Sequence, residues 1–284
     1  MLKIVPMGST GRSVFLALFL CLLAPALRAQ LPFYTDDTEV TPPHVLHVEF
    51  FDEVDALQSE QLPDLRQNTF NVKINTGLPH RLELDFDAPY LTIYRTSQTP
   101  SSRGIGDADM GIKWKFHAQK PGSYVPAFAA SLYIEFPTGD TKNGLGSGLH
   151  DYWLNFIAQE RFTDKTRLTV NTGIVFAGNT STGAVGIQTR GRVFAGGISL
   201  LHDLTPKLTL GGELYGGDSS NEGLARSQLQ TMLGAQYTIR SGMTLGFGLI
   251  VGKYVASPRI GGQIGLSLDF PNVFRSAAHE SGNF

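Results

Sequence analysis

Charged residues alternate with apolar residues along several segments of this 284-residue chain. Between residues 81 and 88, for example, Glu83, Asp85 and Asp87 alternate with leucine and phenylalanine. Because successive side chains of a strand point to opposite faces, such a segment has one charged face and one apolar face. Charges that line the inside of a pore set the electric field that ions and small solutes meet. The pattern therefore indicates a polar interior rather than a catalytic centre.

The same alternation predicts twelve residues that line the interior of a barrel. These pore-lining candidates are Glu83, Asp85, Asp87, Asp109, Lys113, Lys115, Glu135, Arg161, Arg167, Arg192, Glu213 and Gln236. Two interpretations of their charges remain open: opposite charges on neighbouring strands hold the wall together, or an acidic wall faces an arginine wall across the pore. A hairpin centred on residue 99 would place Glu83 opposite Lys115 and Asp85 opposite Lys113.

The composition fits a β-barrel better than a helical membrane protein. Mean hydropathy is -0.05, with 42% hydrophobic and 17% charged residues and 32 glycines. In a transmembrane barrel only every second residue of a strand meets lipid, so the mean hydropathy stays near zero. After Leu27 no stretch approaches ~18 continuous apolar residues, so the sequence predicts no transmembrane helix.

The first residues have the pattern of an export signal. Lys3 and Arg12 precede an apolar run at residues 14–27 that is too short to span a bilayer comfortably. We expect signal cleavage between Ala29 and Gln30. The predicted divisions of the chain are a signal peptide at 1–29, a periplasmic N-terminal segment at 30–43, an outer-membrane β-barrel at 44–270 and a C-terminal tail at 271–284.

Several kinds of partner are excluded by composition. The 23 basic residues do not exceed the 25 acidic ones, so no basic excess attracts nucleic acid. The only cysteine, Cys21, lies in the signal, so the exported chain is expected to form neither disulfides nor a cysteine-metal site. His44 and His47 fall on opposite faces of a predicted strand. We therefore predict no metal and no cofactor.

Twelve strands follow from the alternation and from the turn residues between them. They are predicted at 44–52, 69–77, 81–95, 105–118, 125–137, 151–162, 166–177, 190–204, 207–218, 227–240, 243–254 and 258–270. Short turns alternate with long polar loops, such as 53–68 and 138–150, as in outer-membrane barrels with periplasmic turns. The fold class is therefore all-β: a transmembrane up-and-down antiparallel β-barrel of about twelve strands.

The end of the last predicted strand adds a targeting feature. Gly265, Leu268 and Phe270 belong to an alternating segment that ends in phenylalanine and is similar to the terminal-strand signal of bacterial outer-membrane proteins. We expect this segment to engage the barrel-assembly machinery, and the outer apolar faces to contact outer-membrane lipid.

Local motifs make the chain resemble one family. The segments 33–37 (FYTDD), 104–114 (GIGDADMGIKW), 136–140 (FPTGD) and 144–148 (GLGSG) are similar to segments of the outer-membrane transporter family named for the MetA pathway of phenol degradation. The resemblance implies a porin-like barrel that passes small solutes, aromatic or apolar compounds among them. It carries over no catalytic residue.

These observations predict a bacterial outer-membrane channel for passive uptake of small solutes. Twelve strands lie between the filled eight-stranded barrels and the open barrels of ~16–18 strands, and inward glycines favour a narrow lumen. The alternative is a structural or adhesive barrel that acts through its extracellular loops. The long polar loop at 53–68 supports this alternative. A hydrolase would need a serine and histidine pair, for which only Ser147 and His150 are close in sequence, so we expect no enzyme.

Overall fold

The computed structural model describes residues 31–177, 191–218 and 227–273, and most of their regular structure is β-strand. The strands are β1 (Val45–Ala56), β2 (Asp64–Leu78), β3 (Leu82–Arg95), β4 (Ser102–Ile105), β5 (Ala108–His117), β6 (Ala127–Phe136), β7 (Asp151–Thr163), β8 (Thr166–Ala177), β9 (Gly191–Thr205), β10 (Leu208–Asp218), β11 (Gln228–Arg240), β12 (Met243–Gly252) and β13 (Ile260–Pro271). Short 3-10 helices occupy Ser59–Gln61, Pro79–Arg81 and Thr141–Asn143. No helix within the described ranges is long and apolar enough to cross a membrane.

Some sequence predictions fall outside these ranges. They concern the signal peptide with its cleavage site at Ala29 and Gln30, the loops around 178–189 and 219–226, and most of the tail at 271–284. The described structure does not test these predictions.

The strands form one antiparallel sheet that closes on itself. Each strand pairs with its neighbours along the chain, and β1 pairs with β13 along its whole length. β4 and β5 both pair with β3 and are separated only by Gly106 and Asp107, so together they fill one position in the wall. The thirteen strands therefore occupy twelve positions around the ring. The predicted all-β, twelve-stranded antiparallel barrel is confirmed.

Connections at the two ends of the barrel differ in length, as the sequence predicts. At one end, the short-turn end, residues 79–81, 164–165, 206–207 and 241–242 separate successive strands, and the connection at 118–126 is longer. At the opposite, long-loop end, residues 137–150 separate β6 from β7. The connection between β1 and β2 is shorter than predicted, because both strands continue their pairing and leave only residues 57–63 between them.

Large apolar side chains cover the outer face of the barrel. Trp114 is 51% exposed, and its ring centroid lies 5.5 Å from that of Phe116, which stacks on Phe128 at 6.1 Å. An apolar outer band with clustered aromatic rings is what outer-membrane barrels present to lipid. In β9 the sequence leaves the faces ambiguous because Val193 and Phe194 are adjacent. The structure buries Val193 inside and leaves Phe194 67% exposed outside.

A close contact between Gly111 and Tyr133 orders the wall between β5 and β6. The two residues are directly paired, and a Cβ atom at position 111 would lie only 2.2 Å from Tyr133 Cδ1. In this position the Tyr133 hydroxyl donates a hydrogen bond to Asp85 Oδ2, 2.9 Å away. Glycine is therefore required at position 111 to make room for the ring.

Replacement of Gly111 by alanine is expected to displace the Tyr133 ring and to lower the free energy of unfolding by about 1–3 kcal/mol, the usual cost of overpacking. Urea unfolding of the protein in lipid vesicles, followed by tryptophan fluorescence, measures this change. Gly262→Ala is the matched control, because a Cβ atom at Gly262 would come no closer than 3.6 Å to its neighbours. Equal unfolding free energies for the two variants would contradict the packing role of Gly111.

Candidate functional site

The inner wall of the barrel is strongly polar. Eleven of the twelve pore-lining candidates lie on the inner face of their strands: Glu83, Asp85, Asp87, Asp109, Lys113, Lys115, Glu135, Arg161, Arg167, Glu213 and Gln236. Several, such as Glu83 and Glu135, are 2% exposed although their side chains are ionisable. Burial of this kind is tolerated only where charges find partners, bonds or water in the lumen.

The predicted arginine wall is not formed. Arg192 is exposed on the outer face, because Val193 and Ala195 occupy the inner positions of β9 and place their neighbours outside. Arg167 does lie inside, where its Nη1 is 3.4 Å from Asp203 Oδ1. Arg161 lies near the short-turn end and donates a hydrogen bond to a backbone carbonyl of the adjacent turn, at 3.4 Å. No field between an acidic and an arginine wall follows from these positions.

The predicted pairing of β3 with β5 is wrong by two residues. Glu83 lies opposite Lys113, with Lys113 Nζ 3.2 Å from Glu83 Oε1, and Asp85 lies opposite Gly111. The hairpin is centred on residue 98 and not on residue 99. A shift of the centre by one residue changes the partner of each residue by two positions. Lys115 is thereby released from Glu83, and its Nζ is 2.7 Å from Glu39 Oε2.

Residues 31–41, which we call the inserted segment, lie inside the barrel. Glu213 on β10 accepts hydrogen bonds from the backbone N–H groups of Tyr34 and Thr35, at 3.0 and 2.8 Å. Asn171 on β8 accepts from the Asp36 N–H and donates to the Asp36 carbonyl, both at 2.7 Å. The sequence interpretation of 30–43 as a periplasmic segment therefore does not describe these residues, since the lumen wall binds their backbone.

Side chains replace a strand partner for the inserted segment. Thr38 N–H donates to Gln159 Oε1 at 3.3 Å, Thr41 N–H donates to Glu83, and Gln236 Nε2 donates to the Leu31 carbonyl at 2.8 Å. Buried backbone groups must be hydrogen-bonded, and an irregular segment cannot bond to itself as a helix or sheet does. The polar inner wall meets that need.

The apolar start of the inserted segment fills space left by inward glycines. Phe33 is buried in a cluster with Leu201, Met232 and Ile250. A Cβ atom at Gly234 would lie 2.9 Å from Phe33 Cζ. The sequence predicts that inward glycines leave a narrow lumen, and the absence of a side chain at Gly234 makes room for the inserted segment there.

Two lysines of the wall, Lys113 and Lys115, form ion pairs with the inserted segment. Lys113 Nζ is 2.9 Å from Asp36 Oδ1 as well as 3.2 Å from Glu83, and both Lys113 and Glu83 are buried. Burial raises the pKa of the neighbouring Asp37 to about 6, an effect that Lys113 partly offsets. The segment thus brings carboxylates to lysines that the wall alone pairs incompletely.

A cavity of about 280 Å³ occupies the lumen above the inserted segment. We call it the vestibule, because it extends from Tyr34 to Gln61 and Pro258 in the connections of the long-loop end. Burial, followed by the charge of Glu53, raises the pKa of Tyr34 well above its usual value. The Tyr34 hydroxyl donates a hydrogen bond to Glu53 on the vestibule wall, so the floor and the wall of the cavity are bonded together.

Sequence reasoning missed His47 as an inner-wall group. Its Nδ1 is 2.5 Å from Asp269 Oδ1 and its Nε2 is 3.0 Å from Glu49 Oε1. His47 and Glu49 are two residues apart on one strand, and this spacing places both side chains on one face. Within 31–177, 191–218 and 227–273, no group of three or more His, Cys, Asp or Glu is placed to hold a metal ion.

Asp107 holds the connection between β6 and β7 against the barrel. Its carboxylate accepts hydrogen bonds from the N–H groups of Gly139 and Ser147, at 2.9 and 2.6 Å. Leu145 of the same connection is buried against two inner-face residues of β3. Three of the motifs that carry the family resemblance, 104–114, 136–140 and 144–148, are thus joined by the hydrogen bonds of Asp107. Ser147 Oγ is bonded to the backbone of Leu149 at 3.1 Å, which gives the hydroxyl a structural role in the loop.

The barrel is similar in fold to several solved outer-membrane channels and porins. The barrel matches an outer membrane channel from Pseudomonas putida F1 with a TM-score of 0.63 and 15% identity, over 84% of this chain and 100% of that one. The KdgM porin in complex with disordered oligogalacturonate gives 0.53 at 8% identity, over 79% and 99%. The NanC porin gives 0.52 at 10% identity, over 78% and 98%. The class of fold is therefore a closed β-barrel of the kind that these channels and porins have.

The sequence then assigns the chain to a family. Residues 65–270, most of the barrel, match the family described as "Putative MetA-pathway of phenol degradation". The chain belongs to this family, as its motifs indicate. No curated protein matches the chain at a significant level.

Replacement of Lys113 by methionine is expected to release the inserted segment. Removing one partner of a buried ion pair costs about 3–5 kcal/mol, because the remaining carboxylates stay buried without a cation. A cysteine introduced at the fully buried Thr38, in a Cys21→Ser background, should then react much faster with a membrane-impermeant maleimide. Lys115→Met is the control, because its partner Glu39 has a side chain that is 52% exposed and such pairs contribute about 0–1 kcal/mol. Equal labelling rates in both variants would contradict anchoring by Lys113.

Replacement of Asp107 by alanine is expected to loosen the connection at 137–150. Two charge-assisted hydrogen bonds are lost, and the loss of each is expected to destabilise the docked connection by about 1–3 kcal/mol. Limited trypsin digestion should cut faster after the exposed Lys142, as followed by mass spectrometry of the fragments. Glu60→Ala is the control, since this carboxylate is exposed and accepts a hydrogen bond only from the adjacent Ser59 among the described residues. Unchanged cleavage in Asp107→Ala would exclude the anchoring role.

Proposed function

We propose that this protein is a channel for passive uptake of small solutes across the bacterial outer membrane, aromatic and apolar compounds among them. The single observation that supports this most strongly is the polar vestibule, which lies inside a closed barrel between the long-loop end and the inserted segment. Its wall offers carboxylate and amide groups together with the rings of Tyr34, Trp153 and Tyr215. Such a lining accommodates both water and a small apolar body.

The inserted segment is the constriction in this proposal. It crosses the lumen between Leu31, held by Gln236, and Thr41, held by Glu83. A solute that enters the vestibule passes around this segment or displaces it. Permeation is then limited by how firmly Phe33 and its neighbours dock on the wall.

Export and assembly complete the proposal. Residues 1–29 serve as a signal peptide that is removed between Ala29 and Gln30. The last strand, with Gly265, Leu268 and Phe270, is the segment presented to the barrel-assembly machinery, and the exposed outer residues contact outer-membrane lipid. N-terminal sequencing of the protein purified from membranes tests the processing site directly.

Replacement of Phe33 by alanine is expected to widen the constriction. Loss of a buried phenylalanine costs about 3–5 kcal/mol. Here this loss weakens the docking of the inserted segment on the wall. Single-channel conductance in planar lipid bilayers should therefore rise, and vesicles should take up small neutral solutes faster. Phe86→Ala is the matched control, because Phe86 is 44% exposed on the outer face.

Other results would count against the channel. A barrel that is insulating at all voltages and admits no solute, as wild type and as Phe33→Ala, would contradict the proposal. If solute uptake by cells were then unaffected by deletion of the protein while a partner bound its loops, the adhesive barrel would be the better account. Detergent-activated lipid cleavage lost in His150→Ala would instead favour a hydrolase.

A further inference from the structure

One row of directly paired residues on the inner wall is acidic. Asp87 on β3 lies opposite Asp109 on β5, and Asp109 lies opposite Glu135 on β6. Glu135 in turn lies opposite Asp151 on β7. We call these four residues the acidic row. Like charges directly opposite one another on neighbouring strands destabilise a sheet, so a positive charge beside the row would stabilise it.

At the β3 end of the acidic row the wall supplies a positive charge. Lys73 on β2 is directly opposite Asp87. Lys113 is bound by Asp36 and Glu83. In the part of the chain that the structure describes, no lysine or arginine forms an ion pair with Asp109 or Glu135. Among the described residues, the two central carboxylates of the row therefore face the vestibule without a direct ion pair.

The unsatisfied polar atoms of the vestibule are oxygen acceptors. Glu135 is 2% exposed and Asn71 is 1% exposed, yet neither Glu135 Oε1 nor Asn71 Oδ1 has a hydrogen-bond partner among the described residues. The same is true of Asp55 Oδ1, Asp87 Oδ1 and Gln263 Oε1. All of these side chains line the vestibule. Since buried acceptors without donors are costly, the complementary ligand brings N–H or O–H donors, and the carboxylates favour a positively charged one.

An aromatic pair lies beside the acidic row. Tyr133 and Trp153 are directly opposite each other, each two residues from its acidic neighbour, Glu135 or Asp151, and on the same face. Both rings line the vestibule, and Trp153 packs against a buried apolar cluster of β8 and β9. Aromatic rings attract cations by about 0.5–2 kcal/mol and also provide apolar contact area. The pair thus suits the uncharged part of a ligand whose cation meets the carboxylates.

We propose that the vestibule binds solutes in which a protonated amine adjoins an aromatic or apolar body. The ammonium group lies between Asp109 and Glu135 and donates hydrogen bonds to their carboxylates, while the body packs on Tyr133 and Trp153. This assignment rests on the proposed channel function and specifies its substrate class. Organic ammonium compounds are preferred over carboxylates of the same shape, because the acidic row repels an anion.

Binding can be measured without reference to conductance. Trp114 and Trp153 are the only tryptophans, so a Trp114→Phe variant reports on the vestibule through Trp153 fluorescence. We expect saturable quenching by phenethylammonium, with 2-phenylethanol and 3-phenylpropionate binding at least about tenfold more weakly, a difference of ~1.4 kcal/mol or more. Equal affinity for all three compounds would overturn the proposal.

The double variant Asp109→Asn with Glu135→Gln keeps the shape of both side chains and removes their charge. It should bind phenethylammonium about tenfold more weakly and leave 2-phenylethanol unchanged. Asp164→Asn, which removes an exposed carboxylate in the turn at the short-turn end, is the matched control. Unchanged phenethylammonium affinity in a folded double variant would refute the role of the acidic row.

A measurement on the wild-type vestibule does not depend on how the variants fold. Raising the salt from about 0.1 M to about 1 M shortens the screening length from ~10 Å to ~3 Å. Phenethylammonium should then bind more weakly while 2-phenylethanol does not, and no such difference would count against a charged site. Binding without any conductance would refute the channel and leave the vestibule assignment standing, whereas conductance without binding would refute the assignment alone.

Discussion

The need to hydrogen-bond every buried backbone group is the constraint on which the rest of this structure depends. In a bilayer a β-sheet meets it only by closing on itself, and here β1 pairs with β13 to complete the ring. The inserted segment is under the same constraint but has no neighbouring strand along its length. Its N–H groups are bound instead by side chains such as Glu213 and Asn171. The polar inner wall is therefore a condition for the segment to lie in the lumen at all.

The barrel itself was accessible from sequence because its signals are local. Alternation with period two assigns faces one strand at a time, and short turns mark the strand ends without knowledge of pairing. Glu83 and Lys113 could thus be placed inside correctly even though their register was wrong. Register depends on where a turn is centred, and a displacement of one residue shifts Glu83 from Lys115 to Lys113. The alternation alone does not fix that position.

The inserted segment was not accessible from sequence for a different reason. Its residues lack alternation, so nothing local distinguishes a periplasmic extension from a chain bound in the lumen. The bonds that hold it join residues far apart, such as Thr35 with Glu213 and Asp36 with Lys113. Arg192 illustrates the converse case: alternation was present but its phase was ambiguous, and burial of Val193 decided it.

The inner charges have different surroundings in the two halves of the lumen. Towards the short-turn end, the inserted segment contributes Asp36 and Glu39 to Lys113 and Lys115, so charge there holds the structure together. Above the segment, Asp109 and Glu135 lie directly opposite each other and form no ion pair with a described residue. A wall selected for stability alone would alternate charge signs or use amides there, because opposed carboxylates weaken the sheet. In the proposed site, a positively charged solute in the vestibule supplies the countercharge to these carboxylates, and the adjacent aromatic pair contacts its apolar body.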